Sequence, residues 1–139
     1  MTQYNIISKF IKDLSFEVPD VETLLYIEQN INKYNLKVDV TSKPLKNKLV
    51  QLETILKLEG DEELKRRFHL EINVAAIVRF EEKIEDKKGF KKILLVSVPN
   101  ELYPIIYEVV SNLLKKSGLP NLEIKQKIDF NKLYESQKK

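Results

Sequence analysis

Along the first 80 residues, apolar side chains recur at every second position in four separate stretches, the spacing that puts alternate residues on opposite faces of a strand. In the first, Tyr4, Ile6, Phe10, Leu14 and Phe16 share one parity while Lys9, Asp13, Ser15 and Glu17 take the other, which predicts one apolar and one wet face. The second sets Leu36, Val38 and Val40 against Lys37, Asp39 and Thr41. It begins after a polar connector containing Asn30, Asn32 and Asn35 and ends near Pro44, which has no N–H to give a ladder. The third runs through Val50, Leu52, Thr54, Leu56 and Leu58 to the polar tetrapeptide Gly60-Asp61-Glu62-Glu63. The fourth returns through Phe68, Leu70, Ile72, Val74 and Val78 against Arg67, His69, Glu71, Asn73 and Arg79. Strands three and four are therefore expected to pair as an antiparallel hairpin. Ala75, Ala76 and Ile77 make the end of the fourth strand apolar on both sides, which predicts a second buried contact there.

Beyond residue 80 the period changes. Glu81 to Lys92 is dense in charge around Gly89 and reads as a mobile crossover loop, followed by apolar Ile93 to Val96. Pro99 and Pro104 bracket an expected helix start, since proline is tolerated in a first turn. Leu102, Ile105, Ile106, Val109, Val110, Leu113 and Leu114 then recur at spacings of three and four, one broad apolar stripe. Lys115 and Lys116 complement the negative end of that helix, Gly118 suits a left-handed cap and Pro120 prevents continuation. Asp129 can cap a short last helix carrying Phe130, Leu133 and Tyr134. Four strands followed by helices predict an α+β domain: a four-stranded antiparallel sheet, then a long and a short helix, with the helices on one side.

Length and composition narrow this further. At 139 residues the chain suits one domain, residues 1–139, with 135–139 expected as a flexible tail. A hydrophobic content of 42% with 32% charged residues is that of a folding chain. No cysteine is present, which removes disulfide scaffolds, thiolate nucleophiles and cysteine-ligated zinc, and suits a reducing cytoplasm. The start lacks a signal-peptide pattern and no apolar run approaches membrane-spanning length, so a soluble cytoplasmic protein without stable membrane insertion is expected. Charge is unevenly placed. Residues 1–82 hold 12 Lys/Arg against 14 Asp/Glu, and residues 83–139 hold 12 against 7.

No catalytic centre is legible. His69 is the single histidine and its strand neighbours are Arg67 and Glu71; a Glu71–His69 acid–base pair is conceivable, but two residues on one strand face are more commonly a solvated pair. Three glycines cannot assemble a phosphate-cradling loop, and the serines stand in no nucleophile context. The acidic runs Asp61-Glu62-Glu63 and Glu81-Glu82 lack the spacing of a calcium loop. Neither cofactor nor metal is expected, and the chain is not expected to be an enzyme. Lys65-Arg66-Arg67 and Lys87-Lys88-Gly89-Phe90-Lys91-Lys92 keep a nucleic-acid surface open, although flanking acids cancel much of their field and no nucleic-acid partner is expected. What is left over is apolar surface. The Ala75-Ala76-Ile77 patch, the Leu36-Val38-Val40 strand and Ile93 to Val96 exceed what one helix can seal, which points to association of subunits or capture of extended apolar peptide.

Two ends of the chain form a matched pair. Phe10-Ile11-Lys12-Asp13-Leu14-Ser15-Phe16-Glu17-Val18-Pro19 near the start, together with Val98-Pro99-Asn100-Glu101-Leu102-Tyr103-Pro104, Gly118-Leu119-Pro120 and Ile128 to Tyr134, resembles the SecB export-chaperone family. The resemblance implies ATP-independent holding of unfolded preproteins in apolar grooves, handover to the SecA motor ATPase, and assembly as a homotetramer, a dimer of dimers. Matched position by position, it implies a SecA-docking surface of Asp13, Glu17 and Glu71, with His69 standing where the family has an apolar residue. It implies a client groove of Leu36, Val38 and Val40, with Phe68, Leu70, Ile72 and Val74 as the assembly and groove face. Where the family is usually acidic, this chain has an isoelectric point near 8.9. A SecB-like chaperone serving a toxin–antitoxin pair, and a basic nucleic-acid module, are the alternatives.

Overall fold

The computed structural model describes residues 4–31, 34–59, 68–80 and 87–137. Strands β1 (Tyr4–Glu17), β2 (Asn35–Pro44), β3 (Leu49–Glu59) and β4 (His69–Phe80) form one antiparallel sheet in the order β1-β4-β3-β2, so β1 and β2 are its two edges. The α+β class and the four-stranded sheet are as the period-two pattern predicts. β2 ends at Pro44, and β3 pairs antiparallel with β4. The expected 60–63 turn and the Lys65–Arg67 cluster lie outside the described residues.

Between β2 and β3 the chain turns through Lys46-Asn47-Lys48-Leu49, with the Leu49 N–H donating to the Lys46 carbonyl at 3.4 Å. Asn47 and Lys48 both take left-handed backbone, φ 63° and 62°, the geometry whose twist matches a two-stranded ribbon.

β1 departs from simple alternation. Its register against β4 slips between Ile6 and Ser8 and again between Ile11 and Asp13, so one extra residue is accommodated at each place. Between the slips the parity is reversed: Phe10 lies opposite Ala75 and Ile11 opposite Val74. Directly opposed residues share a face. Phe10 is therefore on the side away from the helices, not with Tyr4, Ile6, Leu14 and Phe16 as alternation alone requires. It also accounts for the apolar end of β4. Ala75 is fully buried, with Phe10 and Glu53 as its cross-strand neighbours on that face, while Ala76 is fully buried on the helix side.

A helix absent from the sequence expectation, α1 (Val21–Gln29), joins β1 to β2. Asp20 caps it, its Oδ1 accepting from the Thr23 N–H at 2.7 Å and the Thr23 hydroxyl at 2.6 Å. Ile27 of α1 is fully buried in the core.

The segment expected as a crossover loop is helical from Lys87. Helix α2 (Lys87–Lys92) continues through a π-helical stretch, Ile93–Ser97, into α3 (Val98–Lys116). Pro99 has no N–H to give the preceding turn, and the widened turn sits directly before it, the Val98 N–H reaching back five residues to the Ile93 carbonyl. Pro104 also lies inside α3. The resulting run Gly89–Lys116 is long and apolar enough, by length and composition, to cross a bilayer, contrary to expectation. Its stripe is taken up by the sheet. Val98, Leu102, Ile106, Val110 and Leu114 are all at most 1% exposed against Leu52, Leu56, Ile72 and Val78.

α3 stops as expected. Gly118 has φ +81°, and the Leu119 N–H donates back to the Leu114 carbonyl at 2.9 Å. A connector holding buried Leu122 and Ile124 leads to α4 (Phe130–Gln137), where Asp129 Oδ1 accepts from the Lys132 N–H at 3.0 Å. α4 thus runs through Gln137, into the segment expected as a tail.

Candidate functional site

A groove of about 900 Å³ opens between β2 and the connector leading into α4. Leu36, Val38 and Leu58 form its sheet side, and Ile124, Ile128 and Leu133 face them. β2 has a strand neighbour on one side only, so a polypeptide lying here would meet an open strand edge and an apolar wall together. A polar clamp holds the facing wall. The Tyr103 hydroxyl, on α3, donates to the Lys125 carbonyl at 2.6 Å, and the Tyr103 ring meets Phe130 at 6.0 Å, nearly edge-on. Burial, with Tyr107 adding to it, pushes the Tyr103 phenol up to about 12, so it stays a neutral donor at any working pH.

One end of the groove is closed by Ile31 and Tyr34. The Tyr34 ring packs on Phe68 at 5.1 Å, and its hydroxyl is buried with no hydrogen-bond partner among the described residues. Burial raises its pKa, as does nearby Tyr26.

The expected groove residues divide. Leu36 and Val38 line the groove. Val40 is buried at 8% exposure, and Phe68, Leu70, Ile72 and Val74 lie in the core beneath the helices, the last three at most 1% exposed. Strand parity identified those four as apolar but could not show that helices cover them. The sequence reading missed the facing wall, although a signal existed: Leu122 and Ile124 alternate with Glu123 and Lys125 just after Pro120.

Asp13, Glu17, His69 and Glu71 come together on the opposite face of the sheet, away from the helices. Glu17 lies opposite His69, Ser15 opposite Glu71 and Asp13 opposite Asn73. Asp13, Glu17 and His69 are exposed, and Glu71 is half-buried. The surface is not purely acidic. Lys57 Nζ lies 3.2 Å from Glu71, and Lys12 Nζ lies 2.7 Å from Glu53, whose carboxylate also accepts from Asn73 at 2.8 Å. The Lys12 bond foremost, and then the Asn73 bond, hold the Glu53 carboxyl below the ordinary carboxylate value. Among the described residues, no group of three acidic or histidine side chains is arranged to hold a metal ion.

A third surface is the β1 edge. Ile7, Phe10, Ile11 and Leu14 are 40–47% exposed along one open strand. At the beginning of β1, burial foremost and then the Glu101 carboxylate of α3 raise the Tyr4 phenol to about 12. The basic stretch at Lys87–Lys92 offers no free aromatic for base stacking. Phe90 packs on Phe80 with ring centroids 4.5 Å apart.

The family model for preprotein translocase subunit SecB matches residues 1–139. A Pelagibacter ubique protein, whose name places it with the protein-export SecBs, is 42% identical over 94% of both chains. The protein-export protein SecB of Rhodospirillum centenum is 28% identical over 94% of this chain and 76% of its own length. That of Anaplasma phagocytophilum is 29% identical over 93% of this chain and 89% of its own. Among solved structures, a SecB-like chaperone of Mycobacterium tuberculosis, in complex with a ChAD peptide from the HigA1 antitoxin, superposes with a TM-score of 0.63. It covers 88% of this chain and 90% of its own at 14% identity, a likeness of fold. The chain, with its four-stranded sheet and its groove beside the β2 edge, belongs to the SecB family and is a SecB-type chaperone.

Proposed function

We propose that this chaperone holds unfolded preproteins in extended form along the β2 groove and delivers them to the SecA motor, acting in the cytoplasm as a homotetramer built from dimers. The groove carries the proposal. An open strand edge running beside the apolar side chains Leu36, Val38, Ile124 and Leu133 suits a chain that has not folded. Burial of client side chains at about 25 cal/mol per Å² supplies affinity with little sequence selectivity and without nucleotide. Asp13, Glu17 and His69, exposed on the other face, and half-buried Glu71 beside them form the docking surface for the motor, so client and motor engage opposite sides of one sheet. The apolar β1 edge supplies subunit pairing.

The decisive experiment is native mass measurement and an aggregation assay on the purified protein, with and without a denatured secretory protein. A multimer that binds the client and suppresses its aggregation supports the reading; a solitary monomer that ignores the client overturns it. Motor docking is tested by Asp13→Ala with Glu71→Ala, which weakens binding to SecA and leaves client capture intact. A second client class, an antitoxin, is favoured by the peptide held by the tuberculosis chaperone. Co-expression with an antitoxin encoded nearby, read as rescued solubility, separates it from export.

A further inference from the structure

Among the described residues, the client groove carries more positive charge than its own carboxylates offset. Lys125, Lys127 and Lys132 line its connector and α4 wall, and all three are exposed. Among the described residues the ion pairs join Lys12 to Glu53, Lys37 to Glu59 and Lys57 to Glu71, so none of these three lysines is in one. Two carboxylates share the wall. Asp129 is engaged as the cap of α4, where the positive helix end already holds its charge, and Glu123 is the other. The wall also belongs to the basic part of the chain, residues 83–139, with 12 Lys/Arg against 7 Asp/Glu.

We infer that the groove selects extended polypeptide segments in which apolar side chains are flanked by aspartate or glutamate. This rests on the client-holding function proposed above and names the chemistry of the client. Apolar side chains of the segment lie against Leu36 and Val38, and its carboxylates reach Lys125, Lys127 and Lys132. The lysines are solvated, so each pairing is weak and screened by salt, and discrimination between oppositely charged flanks is about fivefold to tenfold at low ionic strength.

The test uses the full chain and two fluorescent peptides that share one apolar core, one flanked by glutamates and the other by lysines, with affinity read by anisotropy at low and high salt. The expected result is tighter binding of the glutamate-flanked peptide by that factor, with the difference shrinking as salt rises. Lys125→Glu with Lys127→Glu and Lys132→Glu reverses the order. The wild-type comparison decides the matter even if the triple variant fails to fold. Equal affinities, or a preference for lysine flanks, overturn the inference and leave the chaperone function standing. Binding of neither peptide together with no suppression of aggregation overturns the client-holding function itself. Binding of neither by a protein that does suppress aggregation, its native mass unchanged by them, means that a second copy of the chain fills the groove, and overturns the inference alone.

Discussion

The two edges of the sheet are built differently. β2 is ten residues long, pairs with β3 without a register slip, and keeps strict alternation, so Leu36, Val38 and Val40 turn to the helix side and the first two line a groove. β1 is fourteen residues long, slips register twice, and shows exposed apolar groups on both faces, with Phe10 on one and Ile11 on the other. A regular edge beside a groove suits an extended guest of variable sequence. An irregular edge with apolar groups on both sides suits a partner of fixed shape. The same backbone chemistry thus yields two different surfaces, and the difference lies in two added residues.

The largest expected effect comes from breaking the β1 side of the contrast. Phe10→Asp with Ile11→Asp puts two charges where an interface would be desolvated, and should weaken association on the order of 100-fold. The native mass then falls below that of four 16.4 kDa chains while peptide binding at the groove persists. An unchanged multimer would move the interface elsewhere. Val38→Asp acts on the other edge and should do the converse, lowering client affinity about tenfold, or about 1.4 kcal/mol, with the native mass retained. Loss of both properties from either variant would mean that the edges do not work separately.

The alternation of strands, the stripe and stop of α3, and the Asp129 cap were all legible because each is set by a local period or by one residue's backbone preference. The β1 slips were not, since Ile7 and Lys12 resemble their neighbours and the added residue is visible only against β4. α1 was missed because Val21 and Leu25 of its apolar residues stay exposed, which blurs the stripe, although Asp20 and Thr23 could have signalled its start. The helical stretch at Lys87–Lys92 was hidden by its lysines and Gly89, and is recruited through the packing of Phe90 on Phe80. At the site, alternation identified Leu36 and Val38. It could not separate them from Leu70 and Ile72, because both pairs are equally apolar and only the position of the helices decides which remain reachable.

Two smaller effects sharpen the contrast. Thr54, opposite Val40 of β2, is fully buried and its hydroxyl has no hydrogen-bond partner among the described residues. Thr54→Val removes that unmet group at nearly equal shape and should stabilise the fold by about 1 kcal/mol in urea melts, firming the groove edge without touching β1. The smallest effect concerns Glu53, which holds Lys12 at the second slip of β1. Its carboxyl is held below the ordinary value in the folded chain, so its contribution is fully present above that value and is lost as pH falls through the lowered one. Glu53→Gln should therefore lower Tm slightly at neutral pH and flatten its decline in acid. Because the pair is largely solvated, salt should shrink the difference. Parallel Tm curves for the two proteins between neutral and acid pH would remove Glu53 from the account of β1.

The doubled slip in β1 bears on how growth is halted. A flat, regular edge can template its like without end, which is the route to fibres. An edge kinked at Ile7 and Lys12 accepts only a strand whose own kinks fall in register with it, and a twin running the other way about a two-fold axis is the simplest such strand. Once that twin is in place both β1 rims are consumed, and no third chain can add along that side of the sheet.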